Sequence, residues 1–476
     1  MQQVAIQSLN PRRFAELVGA ERAEELATTV ANAARQRLDG RCVINVNSTA
    51  RGGGVAEMLH VLLGYVRGVG LDARWLVIEA DAPFFTITKR IHNHLYGSAG
   101  DGGPLGANEH EIYRNTMETN GHELATWAQA GDLVVLHDPQ TAGLAERLKS
   151  IGSHVVWRCH VGIREQNEHS SEGWNFLRRY LEPFVDHFIF TDARFPPAWV
   201  PEERCSVIWP SIDPFSPKNQ QLSPASVEGI LSHVGIVAGR ADDTSFERLD
   251  GSPARVESYC DIIRTGPPPP PETPLIVQIS RWDRMKDMPG VMSAFASHIN
   301  SGRDAQLVLA GPVVTAVADD PEGGDVLQEC WEQWRQLPHA IRHRVQLVCL
   351  PMHDLDENAA IVNALQRHAA IVSQKSLAEG FGLTVAEAMV KGTVVVASAV
   401  GGIVNQIIDG QTGRLITDPT DLRSYGDAVC ELLDDHELAN RLGEDGRRRV
   451  LTEHLGDTHL KRWLEVLEHV LAGSGR

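Results

Sequence analysis

No stretch of this chain approaches the roughly 20 consecutive apolar residues needed to cross a bilayer. The N-terminus, MQQVAIQSLNPRRFAEL, has neither the basic start nor the apolar run of a secretory signal. We therefore expect a cytoplasmic protein with no membrane partner. Cysteine is sparse, with seven residues (Cys42, Cys159, Cys205, Cys260, Cys330, Cys349 and Cys430), an odd number without a C-x-x-C pair. That pattern suits buried small hydrophobes better than disulfides or metal ligands. Positive charge is in deficit, since 44 Lys and Arg against 62 Asp and Glu leave a formal net charge of −18. Broad attraction to nucleic acid or anionic lipid is not expected, and an anionic ligand would need a local basic site. Internal repeats of short period are also absent.

What remains is ordinary soluble composition, 42% hydrophobic and 22% charged, over 476 residues, enough for two domains with separate cores. Residues 11–39 have helical composition. β-rich runs follow at 41–48, 73–79, 132–138, 154–161, 187–192 and 205–210, most of them separated by helix-like segments. Near-continuous apolar strands alternating with helices indicate a parallel sheet covered on both faces. Past residue 211 the pattern loosens, ending in five prolines, Pro267–Pro271, which read as a stiff spacer. Alternation restarts at 275–280 and continues at 306–311, 345–350, 369–374 and 393–398. The expected division is an N-terminal helical extension (1–40), a Rossmann-like domain (41–213), a linker or insertion (214–271), a second Rossmann-like domain (272–456) and a C-terminal helix (457–476) that could cross back to the first domain. The fold class is α/β, two doubly wound parallel-sheet domains facing across a cleft, with ligands at the carboxyl ends of the strands.

The segment SLAEGFGLTVAEAMVKG (376–392) is the most informative. Glu379 and Glu387 flank a glycine-bearing turn, Gly380-Phe381-Gly382, that enters a helix near Thr384. Glycine lets the backbone approach an anion, and a helix N-terminus presents free N–H groups to a diphosphate. The two carboxylates could then hold a sugar and a ribose on either side. Thr384-x-x-Glu387 is also a capping box, which would make the same residues purely structural.

Further chemistry lies at other strand ends. SRWDRMKD (280–287) supplies Arg281 and Lys286, cations suited to the charge on a departing nucleoside diphosphate. Gly52–Gly54 form a triple-glycine turn before a helix, but without the G-x-G-x-x-G spacing of dinucleotide sites. His137 and Asp138 end one strand and His160 the next, where an imidazole and a carboxylate could bind sugar hydroxyls. No metal site is expected: His92-x-His94 lacks a third ligand at recognisable spacing, and Asp354-x-Asp356 precedes an apparent helix.

On the stretches GGVAEMLH (53–60), ARWLVIE with FFTITKRIHNHLYG (73–97), HDPQTAGL (137–144), WRCH (157–160), NALQRHAAIVSQKSLAEGFGLTVAEAM (363–389) and VGGIVNQIIDGQTG (400–413), the chain resembles the retaining GT-B glycosyltransferases. Within them it is most similar to the glycosyl-transferring trehalose synthases. The resemblance implies transfer of glucose from a nucleoside diphosphate glucose to glucose, giving an α,α-1,1 linkage, a reaction open to reversal. It implies diphosphate contacts from Arg281 and Lys286 and donor-sugar contacts from Glu379 and His160. It places Glu387 on the ribose and Gly382, Leu383, Thr384, Gly53 and Gly54 around the nucleotide and its phosphates. Asp138, Glu57, Gly380 and Phe381 would meet the sugars. No cofactor or metal is implied, and the partners are a nucleotide sugar and a small sugar acceptor, with a homodimer as one admissible assembly. Two departures stand out. Val161-Gly162 replaces the Ile-Asp that usually follows Cys-His, and Arg284-Met285 replaces the Pro-Trp before the lysine. A transferase with another acceptor, a trehalose phosphorylase and a non-catalytic sugar-nucleotide binding protein are the alternatives.

Overall fold

Leu133–His137 (LVVLH) and Leu275–Ile279 (LIVQI) are buried at every position, which requires cover on both faces of each sheet. The computed structural model describes residues 1–50, 54–299, 303–314 and 322–472. The chain forms two units, Met1–Ser211 with His454–Arg476, and Ile212–Glu453.

The first unit contains β1 (Gln2–Val4), β2 (Val43–Asn47), β3 (Ala73–Val77), β4 (Leu133–His137), β5 (His154–Cys159), β6 (His187–Phe190) and β7 (Cys205–Val207) in the order β1-β3-β2-β4-β5-β6-β7. All pairs are parallel except β1 with β3. Successive residues of β4 alternate between two cores, as the pleat requires. Val134 and Leu136 pack with Trp157, Trp174 and Phe188 on one face, and Leu133 and Val135 with Val156 and Ile189 on the other. The second face is closed by the helix Gly456–Ala472, which contributes Val466, Leu467 and Val470. The N-terminal forty residues are therefore not wholly helical, because Gln2–Val4 adds an edge strand against Trp75–Val77. Its sequence, Gln-Gln-Val, is too short and polar to show alternation.

The second unit carries a small hairpin, β8 (Ser245–Glu247) with β9 (Pro253–Arg255), beside a seven-stranded sheet. That sheet runs β10 (Asp261–Ile263), β13 (Val345–Leu350), β12 (Gln306–Pro312), β11 (Leu275–Ile279), β14 (Ile371–Gln374), β15 (Val395–Ser398) and β16 (Arg414–Ile416). Residues 214–271 are not a spacer between domains. They fold into the second unit, with a helix at Pro224–His233 and with β10 pairing antiparallel to β13. The proline run lies within this unit, where the Pro269 carbonyl accepts the Ala238 N–H at 2.7 Å. Proline can lead an edge strand into a central one because the connection needs no N–H donor.

In each sheet the strand order reverses beside the first parallel strand. The switch points lie between β2 and β4 and between β11 and β14, the positions where doubly wound sheets bind ligands.

Candidate active site

At the second switch point, two lysine–carboxylate pairs join the loops after β11 and β14. Lys286 Nζ donates to Glu379 Oε2 at 2.5 Å, and Lys375 Nζ pairs with Asp287. Each loop gives one cation and one carboxylate to the two pairs. The network rests on Gln278, a fully buried polar residue in the middle of β11. Its Nε2 donates to the Lys286 carbonyl at 2.6 Å, and its Oε1 accepts the Lys375 N–H at 3.1 Å. Ser373 Oγ reaches the same oxygen at 3.2 Å and itself accepts from Tyr425 Oη at 2.8 Å. Leu377 N–H donates to the Met285 carbonyl at 2.7 Å, fastening the two loops through the main chain. Glu379 is 7% exposed, and Gln374 Nε2 and Ser376 Oγ also reach its Oε2, at 3.3 and 3.4 Å. Arg281 follows β11 by two residues and is half-buried.

The glycine turn is not closed by a capping box. The helix runs Leu383–Val390, its N-cap is Gly382 at φ 81, and no side chain caps it. Thr384 lies inside the helix, so the Thr384-x-x-Glu387 cap does not form, and the first N–H groups remain open to a ligand. The turn is held from behind: Gly402 N–H donates to the Gly380 carbonyl at 2.9 Å, and Gln406 donates to the Phe381 carbonyl. A Cβ on Gly401 would sit 1.5 Å from the Glu379 carbonyl oxygen, so only glycine permits this approach.

Glu387 is buried at 5% exposure, with Lys218 Nζ at 3.8 Å from its Oε1. Beneath it, Lys391 donates to Asn219 Oδ1, Gln366 Oε1 and the Glu387 carbonyl, each at 2.8 Å. Those contacts saturate the ammonium's three donors. Burial pushes the Lys391 ammonium well down, while Glu387 opposes the shift. The segment carrying Lys218 is fixed by Asn363, which donates to the carbonyls of Pro217 (3.0 Å) and Gln220 (2.8 Å).

At the first switch point, His137 ends β4, with Nε2 2.9 Å from Asn45 Oδ1 and Nδ1 3.2 Å from His160 Nε2. The two imidazoles lie nearly parallel. Asp138 follows in the left-handed region at φ 60, a conformation that costs a non-glycine residue about 1 kcal/mol or more and is concentrated at functional sites. Its Oδ1 accepts the His160 N–H at 2.7 Å, and Trp157 Nε1 donates to its carbonyl at 3.1 Å. Burial pushes the Asp138 carboxyl up to about 7, against the opposing pull of the His160 N–H and the Arg158 cation. His137 and His160 are pushed well below the usual imidazole range, chiefly by burial and secondarily by Arg158. Arg158 is itself fully buried in β5, 3.1 Å from His459 Nε2 on the C-terminal helix. Gly54 opens the helix Gly54–Gly68, and Glu57 stands exposed in its first turn. Gly53 lies outside the described residues.

The structure thus brings Lys286 and Glu379 into contact, and His160 onto Asp138. The Asp354-x-Asp356 pair is accounted for as a helix start: Asp354 Oδ1 accepts the N–H groups of Asp356 and Glu357, and Arg248 binds its carboxylate at 2.7 and 3.1 Å. Gly162 also acquires a reason. A Cβ there would lie 2.5 Å from the ring of the buried Phe195, so no carboxylate fits at this position while Phe195 holds its place. Sequence reasoning missed Gln278, Lys375, Asp287, Asn45, Arg158, Lys218 and Lys391. The available signal was a polar residue interrupting an apolar strand, as in LIVQI, VINVN and HVVWRC.

The model for the trehalose synthase N-terminal domain matches residues 45–197, and that for group 1 glycosyl transferases matches residues 261–449. A trehalose synthase from Pyrococcus horikoshii is 33% identical over 434 residues, 91% of each chain. A trehalose phosphorylase from Pleurotus pulmonarius is 25% identical over 435 residues, 86% of this chain and 54% of that protein. Among solved structures, "Trehalose-6-phosphate from E. coli bound with UDP-2-fluoro glucose" superposes with a TM-score of 0.66 at 12% identity, covering 90% of this chain and 99% of the other, a likeness of fold. This chain belongs to the trehalose synthase family of GT-B glycosyltransferases.

Proposed function

We propose that the protein transfers glucose from a nucleoside diphosphate glucose to glucose with retention, forming α,α-trehalose. The observation that carries this reading is the Lys286–Glu379 contact beside an uncapped glycine turn, a cation for the diphosphate placed against a carboxylate for the donor sugar. Arg281 and Lys286 hold the diphosphate, and the N–H groups at Gly382, Leu383 and Thr384 share its charge. Glu379, with Gly380 and Phe381 beside it, takes donor-sugar hydroxyls and Glu387 takes the ribose. His160 serves the donor sugar, and Asp138 and Glu57 serve the acceptor.

In the transfer, the bond from donor C1 to the leaving phosphate oxygen breaks, and the acceptor's anomeric oxygen bonds to C1 on the same face. The acceptor proton passes to the leaving phosphate. Cations already in position stabilise the charge that develops there. Two side-chain cations do the work that a divalent ion performs elsewhere, so no metal is needed for the chemistry. The similarity to a trehalose phosphorylase favours a second reading, in which inorganic phosphate replaces the nucleotide.

The test is product analysis with ADP-, UDP- or GDP-glucose plus glucose, with and without chelator, alongside trehalose plus inorganic phosphate. Nucleotide-dependent trehalose formation that survives the chelator supports the proposal. Phosphate-dependent breakdown without any nucleotide requirement supports the phosphorylase.

A further inference from the structure

Outside the active site, the helices Ala82–Leu95 and Glu168–Leu181 in the first unit bring together residues the sequence keeps far apart. His94, in the last turn of the first helix, is 3% exposed, and its Nδ1 is buried without a hydrogen-bond partner. That nitrogen lies 3.5 Å from Glu172 Oε2. Glu172 and His169 stand three residues apart and share one face of the second helix. The imidazole of His169 meets that of His94 edge to face, with centroids 5.5 Å apart. One ligand atom from each of His94, His169 and Glu172 falls within 4.8 Å of the other two.

The packing that creates this cluster is specific. A Cβ on Gly173 would lie 3.0 Å from His94 Cβ, so glycine lets the helices close at this level. Asn167, the N-cap of the second helix, donates from Nδ2 to the Gly97 carbonyl at 2.9 Å, tying its start to the end of the first. His92-x-His94 offered no third ligand by sequence spacing, whereas the fold supplies two from another helix.

We propose that His94, His169 and Glu172 form a binding site for a divalent transition cation of the zinc type, stapling the two helices outside the catalytic centre. Two imidazoles and one carboxylate are a donor set that zinc accepts, with a water in the fourth position. Tetrahedral ligands at about 2.0–2.1 Å from the ion lie about 3.3 Å apart, and the Nδ1–Oε2 separation already approaches that value. The remaining ligand moves inward by a rotation of His169, which is half-buried. The site serves structure rather than chemistry, because its ligands are not among the residues assigned to the substrates.

The exposed pair His339 and His343, with Nε2 atoms 3.1 Å apart, would also collect metal, so the test uses full-length protein carrying His343→Ala. Zinc binding is measured by calorimetry, cobalt binding by visible absorption, and melting with and without one equivalent of zinc. The expected result is one ion per chain, tetrahedral cobalt bands and a raised melting temperature. Adding His169→Ala or Glu172→Gln, at a half-buried and an exposed position and both expected to fold, should weaken binding at least tenfold and abolish the thermal shift. No binding by the parent, or equal binding in both additional variants, would overturn the proposal. Weak binding without cobalt bands would do the same, since it identifies adventitious surface chelation.

Discussion

Lys286 Nζ sits 2.5 Å from Glu379 Oε2, with 15% and 9% of the two side chains exposed. The contact crosses the switch point between β11 and β14, so each residue holds the other in place before substrate arrives. A diphosphate would draw the ammonium toward itself and leave the carboxylate to accept sugar hydroxyls. Binding therefore exchanges one ionic partner for another, and the desolvation cost of this site is largely met during folding.

On the proposed reading, replacing the cation removes stabilisation of the leaving group while sparing the main-chain framework, since Gln278 contacts the Lys286 carbonyl and not its side chain. Lys286→Ala and Arg281→Ala should each lower kcat by about 100- to 1,000-fold in protein that remains folded, and Lys286→Ala should also lower the melting temperature, because it leaves the buried Glu379 carboxylate without its cation. Steady-state rates and thermal melts check this; near wild-type turnover in both variants would eliminate the diphosphate assignment.

Lys375 differs from Lys286 in burial, with its side chain fully enclosed and Asp287 only 19% exposed. Lys375→Ala leaves that carboxylate without its partner and should cost about 3–5 kcal/mol in urea unfolding. Adding Asp287→Asn should recover part of the loss. A Lys375→Ala variant as stable as the parent would show that the pair contributes little.

Asp138 binds its proton up to about pH 7 in the folded chain against a usual value of 3.8. Between these values the folded state holds more protons than the unfolded state, so the stability from the protonated carboxyl is lost as pH rises through 7. Buried His137 and His459 and half-buried His160, all with lowered proton affinity, act the other way and lose stability as pH falls below about 6.5. The Asp138→Asn variant isolates the carboxyl. Its stability relative to the parent should rise between pH 4 and 7, by at most about 1.4 kcal/mol per pH unit. Denaturant melts at several pH values measure that difference, and a flat difference would contradict the burial argument.

Gly162 and Phe195 should be coupled. Gly162→Asp, which restores the carboxylate usual in the family, should destabilise by about 1–3 kcal/mol through overpacking against the ring. Combining it with Phe195→Ala should cost less than the sum of the single changes, because the smaller side chain relieves the clash. Strict additivity would show that the two positions do not compete for space.

Much of the fold could be read from apolar strands such as LIVQI and LVVLH, whose unbroken burial demands helices on both faces. Edge strands escaped because Gln2–Val4 and Asp261–Ile263 are three residues long and only half apolar, and pair by main-chain bonds that leave no pattern in side chains. The proline run misled for a related reason: it marks a stiff connection but not which elements it connects. Within the site, Glu379 and Glu387 stood out through spacing around a glycine turn, and Arg281 and Lys286 as cations at the end of a strand. Lys375 and Gln278 did not, because their importance comes from partners brought together by the order of the strands.

Transfer of an intact glucosyl group to free glucose is the centre of this account, and isotopic labelling tests it most directly. The protein is incubated with unlabelled nucleoside diphosphate glucose and glucose labelled with carbon-13 at C1, and the products are followed by NMR. The account predicts α,α-trehalose labelled at the anomeric carbon of one ring only, formed in step with nucleoside diphosphate. Nucleotide release with all label remaining in free glucose would contradict it.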